Sequence, residues 1–117
     1  MRHVFIVNPM AGKRDSVQKL LSRIREVYPQ GGYEVYATQA AGDAHRLAME
    51  AIEGGEPVRL YACGGDGTLN EVVNAAAGQA QAAVTNVPLG TGNDFLRMFG
   101  REARDRFFDI TALREGP

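Results

Sequence analysis

Short apolar runs rich in β-branched and aromatic residues alternate along this chain with longer stretches of helical periodicity. Such alternation is typical of repeated βαβ units, whose strands form a mostly parallel sheet covered by helices. The 117 residues, 44% of them hydrophobic and 23% charged, match one ordinary globular domain. We therefore predict an α/β fold with three layers and a doubly wound, mostly parallel sheet.

The periodicity also predicts where the elements lie. Strands are expected at about 3–8, 33–38, 58–63 and 83–87, and helices at about 15–28, 43–53, 69–77 and 93–99. Asp15 or Ser16 is the expected N-cap of the first helix, and glycines follow each predicted helix as stop signals. Residues 104–117 are predicted to be either a linker or an edge strand.

Charge and cysteine content limit the partners and the compartment. The formal net charge of -1 leaves no global positive field, so we expect no nucleic-acid partner. Cys63 is the single cysteine, which indicates a reduced, cytoplasmic protein. No stretch approaches the roughly 18 to 20 apolar residues of a membrane span, so any membrane contact is expected to be peripheral.

The loop Gly-Gly-Asp-Gly-Thr at 64–68 follows the third predicted strand, at the edge where doubly wound sheets bind ligands. Its glycines permit positive φ angles and a close approach of a ligand to the backbone. Asp66 would repel a phosphate unless a divalent cation or a transferable proton lay between them, which favours phosphoryl transfer. The alternative is a glycine-rich turn in which Asp66 only caps the next helix.

Two further loops follow predicted strands. Asn-Pro-Met-Ala-Gly at 8–12 stands beside Lys13 and Arg14, and it is either part of an anion site or a plain Asn-Pro turn. In Pro-Leu-Gly-Thr-Gly-Asn-Asp at 88–94, Thr91 can donate to a phosphate, whereas capping of the next helix is the preferred interpretation for Asp94. Thr38, after the second strand, is a weaker candidate.

Two familiar nucleotide motifs are absent. A P-loop ending at Gly12-Lys13 would need glycine at position 7 and Ser or Thr at 14, where the chain has Val7 and Arg14. The dinucleotide fingerprint fails because Asn70 stands where its last glycine is required. His3 and His45 lack cysteine or histidine partners at ligand spacing, so we interpret both as structural.

Four motifs, in this order, carry a resemblance: NPMAG, ATQAAGDA, GGDGTLNEVVNA and PLGTGNDFLRMFG. Together they resemble the catalytic domain shared by diacylglycerol kinases, sphingosine kinases and similar bacterial lipid kinases, with about 1–103 well matched. The resemblance implies a Rossmann-like nucleotide-binding domain. It also implies magnesium-dependent transfer of the γ-phosphoryl group of ATP to a lipid hydroxyl such as that of diacylglycerol.

The resemblance assigns roles residue by residue. Asp66 is implied to be catalytic, either by contacting Mg²⁺, directly or through water, or by helping to position the acceptor hydroxyl. Glu71, Asn93 and Asp94 are secondary candidates. The implied contacts to ATP are Asn8, Pro9, Met10, Ala11, Gly12, Thr38, Gly64, Gly65, Asp66, Gly67, Thr68, Leu69, Asn70 and Thr91.

The resemblance also implies a second, mainly β domain with the lipid cleft, a general base and further metal contacts, and we expect that residues 1–117 do not include it. We therefore expect either an excised domain or one that works with a partner, the lipid acceptor being met at a membrane surface through the missing domain. A homodimer is a further hypothesis. Residues 95–108 mix aromatic residues with arginines, which fits sheet packing or, less well, a lipid surface.

Two alternatives to a lipid kinase stay open. The GGDGT loop alone also occurs in NAD kinases, so an NAD-kinase-like phosphotransferase is one of them. A non-catalytic nucleotide-binding module is the other.

Overall fold

The computed structural model describes residues 1–11 and 14–89, in which strands and helices alternate without exception. The four strands are all parallel and lie in the order β2-β1-β3-β4. This arrangement confirms the predicted doubly wound α/β fold. The elements are β1 (Arg2–Val7), α1 (Arg14–Val27), β2 (Glu34–Ala37), α2 (Asp43–Glu53), β3 (Val58–Gly64), α3 (Asp66–Ala76) and β4 (Ala82–Pro88).

The direction in which the sheet is wound reverses between β1 and β3. The chain leaves β1 for β2 on one side, and it leaves β3 for β4 on the other. Val7 pairs with Ala37 and with Cys63, and Gly64 pairs with Pro88, so the carboxyl ends of the strands share one edge. In sheets of this kind a ligand crevice opens at the reversal. The loops after β1 and β3 flank that crevice.

The hydrophobic core has two parts, one on each face of the sheet. Alternate residues of a strand point to opposite faces, so Phe5 and Tyr61 pack with α1 while Ile6 and Leu60 pack with α2 and α3. Every residue of β3 is buried, as expected for a parallel strand covered on both faces. Cys63 is among them, and burial raises the pKa of its thiol.

The edge strand β2 differs from its predicted pattern. The sequence alternates Val35 and Ala37 with Glu34 and Tyr36, which predicts alternating burial, yet Val35, Tyr36 and Ala37 are all exposed. An ion pair holds this strand to β1: Arg2 donates to both carboxylate oxygens of Glu34 at 2.9 Å. Hydrogen bonding from Arg2 is the main cause of the lowered pKa of Glu34, and the hydrogen bond from the Tyr36 hydroxyl is the second cause.

The helix starts are where prediction and structure differ most. α3 begins at Asp66 rather than at about 69, because packing of its buried side chains overrides the low helical propensity of Gly67. α1 begins at Arg14, so Asp15 and Ser16 lie inside its first turn and the prediction that one of them is the N-cap is wrong. The predictions for 93–99 and 104–117 lie outside the described residues.

The described part of the chain contains no helix that is both long and apolar enough to cross a membrane.

Candidate functional site

A cleft of about 630 Å³ opens at the carboxyl edge of the sheet, where the winding reverses. Its volume falls within the range of about 300 to 1,000 Å³ that is usual for small-molecule sites. Its walls are formed by the loops after β1 and β2, the start of α2 and the first two turns of α3, and we call it the switch-point cleft. Its lining residues are Asn8, Pro9, Met10, Thr38, Gln39, Ala40, Ala41, Ala44, Gly67, Thr68 and Glu71.

The loop after β1 is a hydrogen-bonded turn. The backbone N–H of Asn8 donates to the carbonyl of Cys63 at 2.8 Å, which ties the loop to the end of β3. The Asn8 side chain accepts from the N–H of Met10 at 3.0 Å, and the Asn8 carbonyl accepts from Ala11 at 3.1 Å. Asparagine followed by proline suits such a turn. The Asn-Pro turn therefore exists, and it also lines the cleft.

The start of α3 has free space beside its glycines within the described part of the chain. Gly65 is the N-cap residue, and no described side chain accepts a hydrogen bond from this helix end. A Cβ atom added to Gly65 or Gly67 would meet no described atom within 4 Å. The first N–H groups of a helix have no intrahelical partner and carry the positive end of its dipole. This end of α3 is consequently suited to an anion.

The glycines of the motif differ from one of the two expectations for them. None of Gly64, Gly65 and Gly67 has a positive φ, so that expectation is wrong. Gly64 instead permits close packing: a Cβ there would lie 2.5 Å from Thr68 Oγ1 and 3.2 Å from the Cβ of Asn8. Thr68 is buried against this strand end. The missing side chain thus lets the helix start and the β1 loop approach β3.

Asp66 is the first residue of α3 and is exposed to solvent. The alternative interpretation, that it caps this helix, is wrong, because Gly65 is the N-cap residue and the cap has no side-chain hydrogen bond within the described part of the chain. A carboxylate at this position still interacts favourably with the helix dipole. Asp66 stands immediately before Gly67, which lines the cleft.

The structure places Thr38 where the sequence suggested. Its N–H donates to the carbonyl of Val7 at 2.8 Å, and the residue is buried beside the cleft. The loop that follows is bent around Asp43, whose carboxylate accepts from the N–H groups of Gln39 at 2.7 Å and Ala40 at 3.1 Å. The Gln39 hydrogen bond is the main cause of the lowered pKa of Asp43.

Several predicted contacts do not reach the cleft directly. Leu69 packs into the core beneath α2 and α3, and Asn70 is exposed on α3. Gly64, Gly65, Asp66 and Ala11 adjoin the lining without forming it. Gly12, Thr91, Asn93 and Asp94 lie outside the described residues. Sequence reasoning did not assign Gln39, Ala40, Ala41 and Ala44 to the site, although the ATQAAGDA motif contains all four.

Comparison with known proteins assigns this chain to a family. The sequence profile described as the diacylglycerol kinase catalytic domain matches residues 2–116. The chain belongs to this family. It is 42% identical over 103 residues to a diacylglycerol kinase of Bacillus subtilis, covering 86% of this chain and 33% of that protein. Over 68 residues it is 48% identical to a probable YegS-like lipid kinase of Pseudomonas fluorescens, covering 57% and 22% respectively.

A solved family member has the same fold. A crystal structure of a diacylglycerol kinase from Bacillus anthracis superposes with a TM-score of 0.65 at 26% identity, covering 98% of this chain and 42% of that one. The chain thus spans about a third of the length of the Bacillus subtilis relative. The family relationship confirms the resemblance carried by the four motifs.

Proposed function

We propose that this chain is the ATP-binding domain of a lipid kinase, which transfers the γ-phosphoryl group of ATP to a lipid hydroxyl such as that of diacylglycerol. One observation carries the proposal. In a member of the diacylglycerol kinase family, the N terminus of α3, where no described side chain accepts a hydrogen bond, lies at the switch-point cleft. Helix ends of this kind bind phosphate through backbone N–H groups and the helix dipole.

The residues around the cleft fit a nucleoside triphosphate. The start of α3, with Gly65, Gly67 and Thr68, would hold the phosphates through N–H groups and a hydroxyl. The turn formed by Asn8, Pro9, Met10 and Ala11 would flank them, together with Thr38. The contacts at Gly12 and Thr91 belong to the same proposal. The alanines after Thr38 form an apolar wall at the other end of the cleft, and the nucleoside would lie against it.

Mg²⁺ would enter this site together with the phosphates. Within residues 1–11 and 14–89, no three His, Cys, Asp or Glu side chains are grouped so that they could hold a metal ion. Asp66, exposed beside the phosphate end, is the acidic residue that would contact the ion, through water or directly, while phosphate oxygens supply further ligands. The ion supplies neutralisation of phosphate charge, and transfer of this kind depends mainly on such neutralisation and on positioning.

The acceptor side of the reaction is proposed to lie outside this chain. The chain covers 33% of the Bacillus subtilis relative, so the lipid cleft and the general base would come from a further domain or a partner. The proposal includes a cytoplasmic kinase that meets its lipid at the membrane surface. Homodimer formation stays a prediction.

A transfer assay tests the function directly. The chain would replace the matching segment of the Bacillus subtilis diacylglycerol kinase, to which it is 42% identical over 103 residues. With γ-labelled ATP and Mg²⁺, we expect label in phosphatidic acid when diacylglycerol is the acceptor, and none in NADP when NAD is offered instead.

The other outcomes separate the alternatives. Label in NADP would favour an NAD-kinase-like enzyme over a lipid kinase. A folded chimera that binds Mg·ATP and labels neither acceptor would favour a non-catalytic module. A folded chimera that does not bind Mg·ATP would contradict the proposed nucleotide site itself.

A further inference from the structure

Glu71 of α3 forms hydrogen bonds to another helix. Its Oε2 accepts from the N–H of Gly42 at 3.1 Å, and its Oε1 accepts from the N–H of His45 at 3.2 Å. Gly42 is the N-cap residue of α2, and this cap has no side-chain hydrogen bond of the local kind within the described part of the chain. A side chain next to the N terminus usually accepts from such N–H groups. Here a carboxylate from α3 does so instead.

The loop between β2 and α2 is therefore held by two carboxylates with different consequences. Asp43 accepts from Gln39 and Ala40, both within four residues of it, and so maintains the bend of the loop itself. Glu71 is 29 residues away from Gly42 in sequence and connects the loop to α3. Glu71 thus links this loop to the helix that carries the proposed phosphate end of the cleft.

The geometry points to Glu71 as a positioning residue for the nucleotide. We propose that it holds the loop carrying Thr38 and Gln39 at a set distance from the start of α3. Its carboxylate also occupies the anion-binding N terminus of α2. The N terminus of α3 is then the helix end that remains available for the phosphates. This inference rests on the proposed ATP site and adds a function for Glu71 within it.

Charge and hydrogen-bonding capacity both matter in this arrangement. A carboxylate accepts from both N–H groups at once and compensates the positive end of the α2 dipole. A glutamine has one acceptor oxygen, and its NH₂ group would oppose the second N–H. Glu71→Gln should therefore loosen the contact and expose a second anion-binding helix end in the cleft.

Amide NMR spectra of the chain test the inference, with inorganic phosphate and Mg·ATP as probes. Glu53→Gln is the matched control, because it removes the same charge from an exposed residue at the far end of α2. In the wild type and the control, we expect phosphate to shift the amide signals of Gly67 and Thr68 but not those of Gly42 and His45. In Glu71→Gln, the last two signals should move as well, and the Kd for Mg·ATP should rise about ten-fold.

Hydrogen exchange separates this inference from the proposed function. The Gly42 and His45 amides should exchange about ten-fold faster in Glu71→Gln than in the control, whether or not nucleotide is bound. Equal exchange, together with equal Mg·ATP affinity, would overturn the positioning role while leaving the ATP site intact. If neither phosphate nor Mg·ATP shifts the Gly67 and Thr68 signals of the wild type, both the ATP site and this inference are overturned. Should Glu71→Gln not fold, Glu71→Asp, which keeps the charge but shortens the reach, must show the same faster exchange.

Discussion

Asp66→Asn is expected to lower the rate of phosphoryl transfer about 100-fold or more while Mg·ATP still binds within a few-fold of the wild-type affinity. The substitution keeps the size of the side chain and removes its charge at the exposed start of α3. If Asp66 contacts the metal ion or the acceptor hydroxyl, the loss falls on the transition state rather than on binding. Transfer to diacylglycerol in the chimeric kinase gives kcat, and calorimetry gives the Kd for Mg·ATP.

Asp15→Asn is the matched control for this experiment. Asp15 is also an exposed acid in the first turn of a helix, and its ion pair with Lys19 lies on α1. We expect its removal to leave kcat and affinity near wild type, because exposed pairs of this kind contribute about 0 to 1 kcal/mol. Wild-type turnover in Asp66→Asn would exclude Asp66 from the mechanism.

The glycines of the same motif should respond in opposite ways to alanine. Gly64→Ala places a Cβ 2.5 Å from Thr68 Oγ1 and 2.9 Å from Thr68 Cβ, so we expect a loss of about 2 to 3 kcal/mol in the free energy of unfolding. Gly67→Ala meets no described atom within 4 Å and lies in a helix, where alanine is favoured by up to about 1 kcal/mol. Denaturant titrations followed by circular dichroism measure both changes.

Gly67→Ala, although tolerated by the fold, should weaken nucleotide binding. Its added methyl group would occupy space that the proposed phosphates need, so Gly67→Ala should weaken Mg·ATP binding about ten-fold in a protein of unchanged or higher stability. A variant that binds Mg·ATP as tightly as the wild type would place the phosphates elsewhere. Equal stability of the two alanine variants would contradict the close packing at Gly64.

The sheet was predictable from the sequence for a clear physical reason. A parallel strand covered on both faces consists mostly of consecutive apolar residues, and residues 60–63 form such a run within β3. Helix α2 was predicted with its observed bounds, because Asp43 stands at its start and Gly54 follows its end. The position of the edge strand β2 was predicted correctly, but its burial pattern was not. The burial of an edge strand depends on neighbours that the sequence does not specify.

The parts of the site that could not be predicted depend on contacts between distant segments. Residues 64–68 read as a loop because of their glycines, and only packing of α3 on the sheet shows that the helix begins there. Glu71 was a secondary candidate without a stated function, and its partners Gly42 and His45 lie on another helix. No local pattern in the sequence indicates such a contact.

The central claim is that the switch-point cleft binds Mg·ATP with its phosphates at the start of α3. A titration of the chain with Mg·ATP, followed by amide NMR, tests this most directly. We predict saturable shifts that are largest at Asn8, Thr38, Gly67 and Thr68. Shifts confined to the opposite edge of the sheet, around Arg2 and Glu34, or no saturable shift at all, would contradict it.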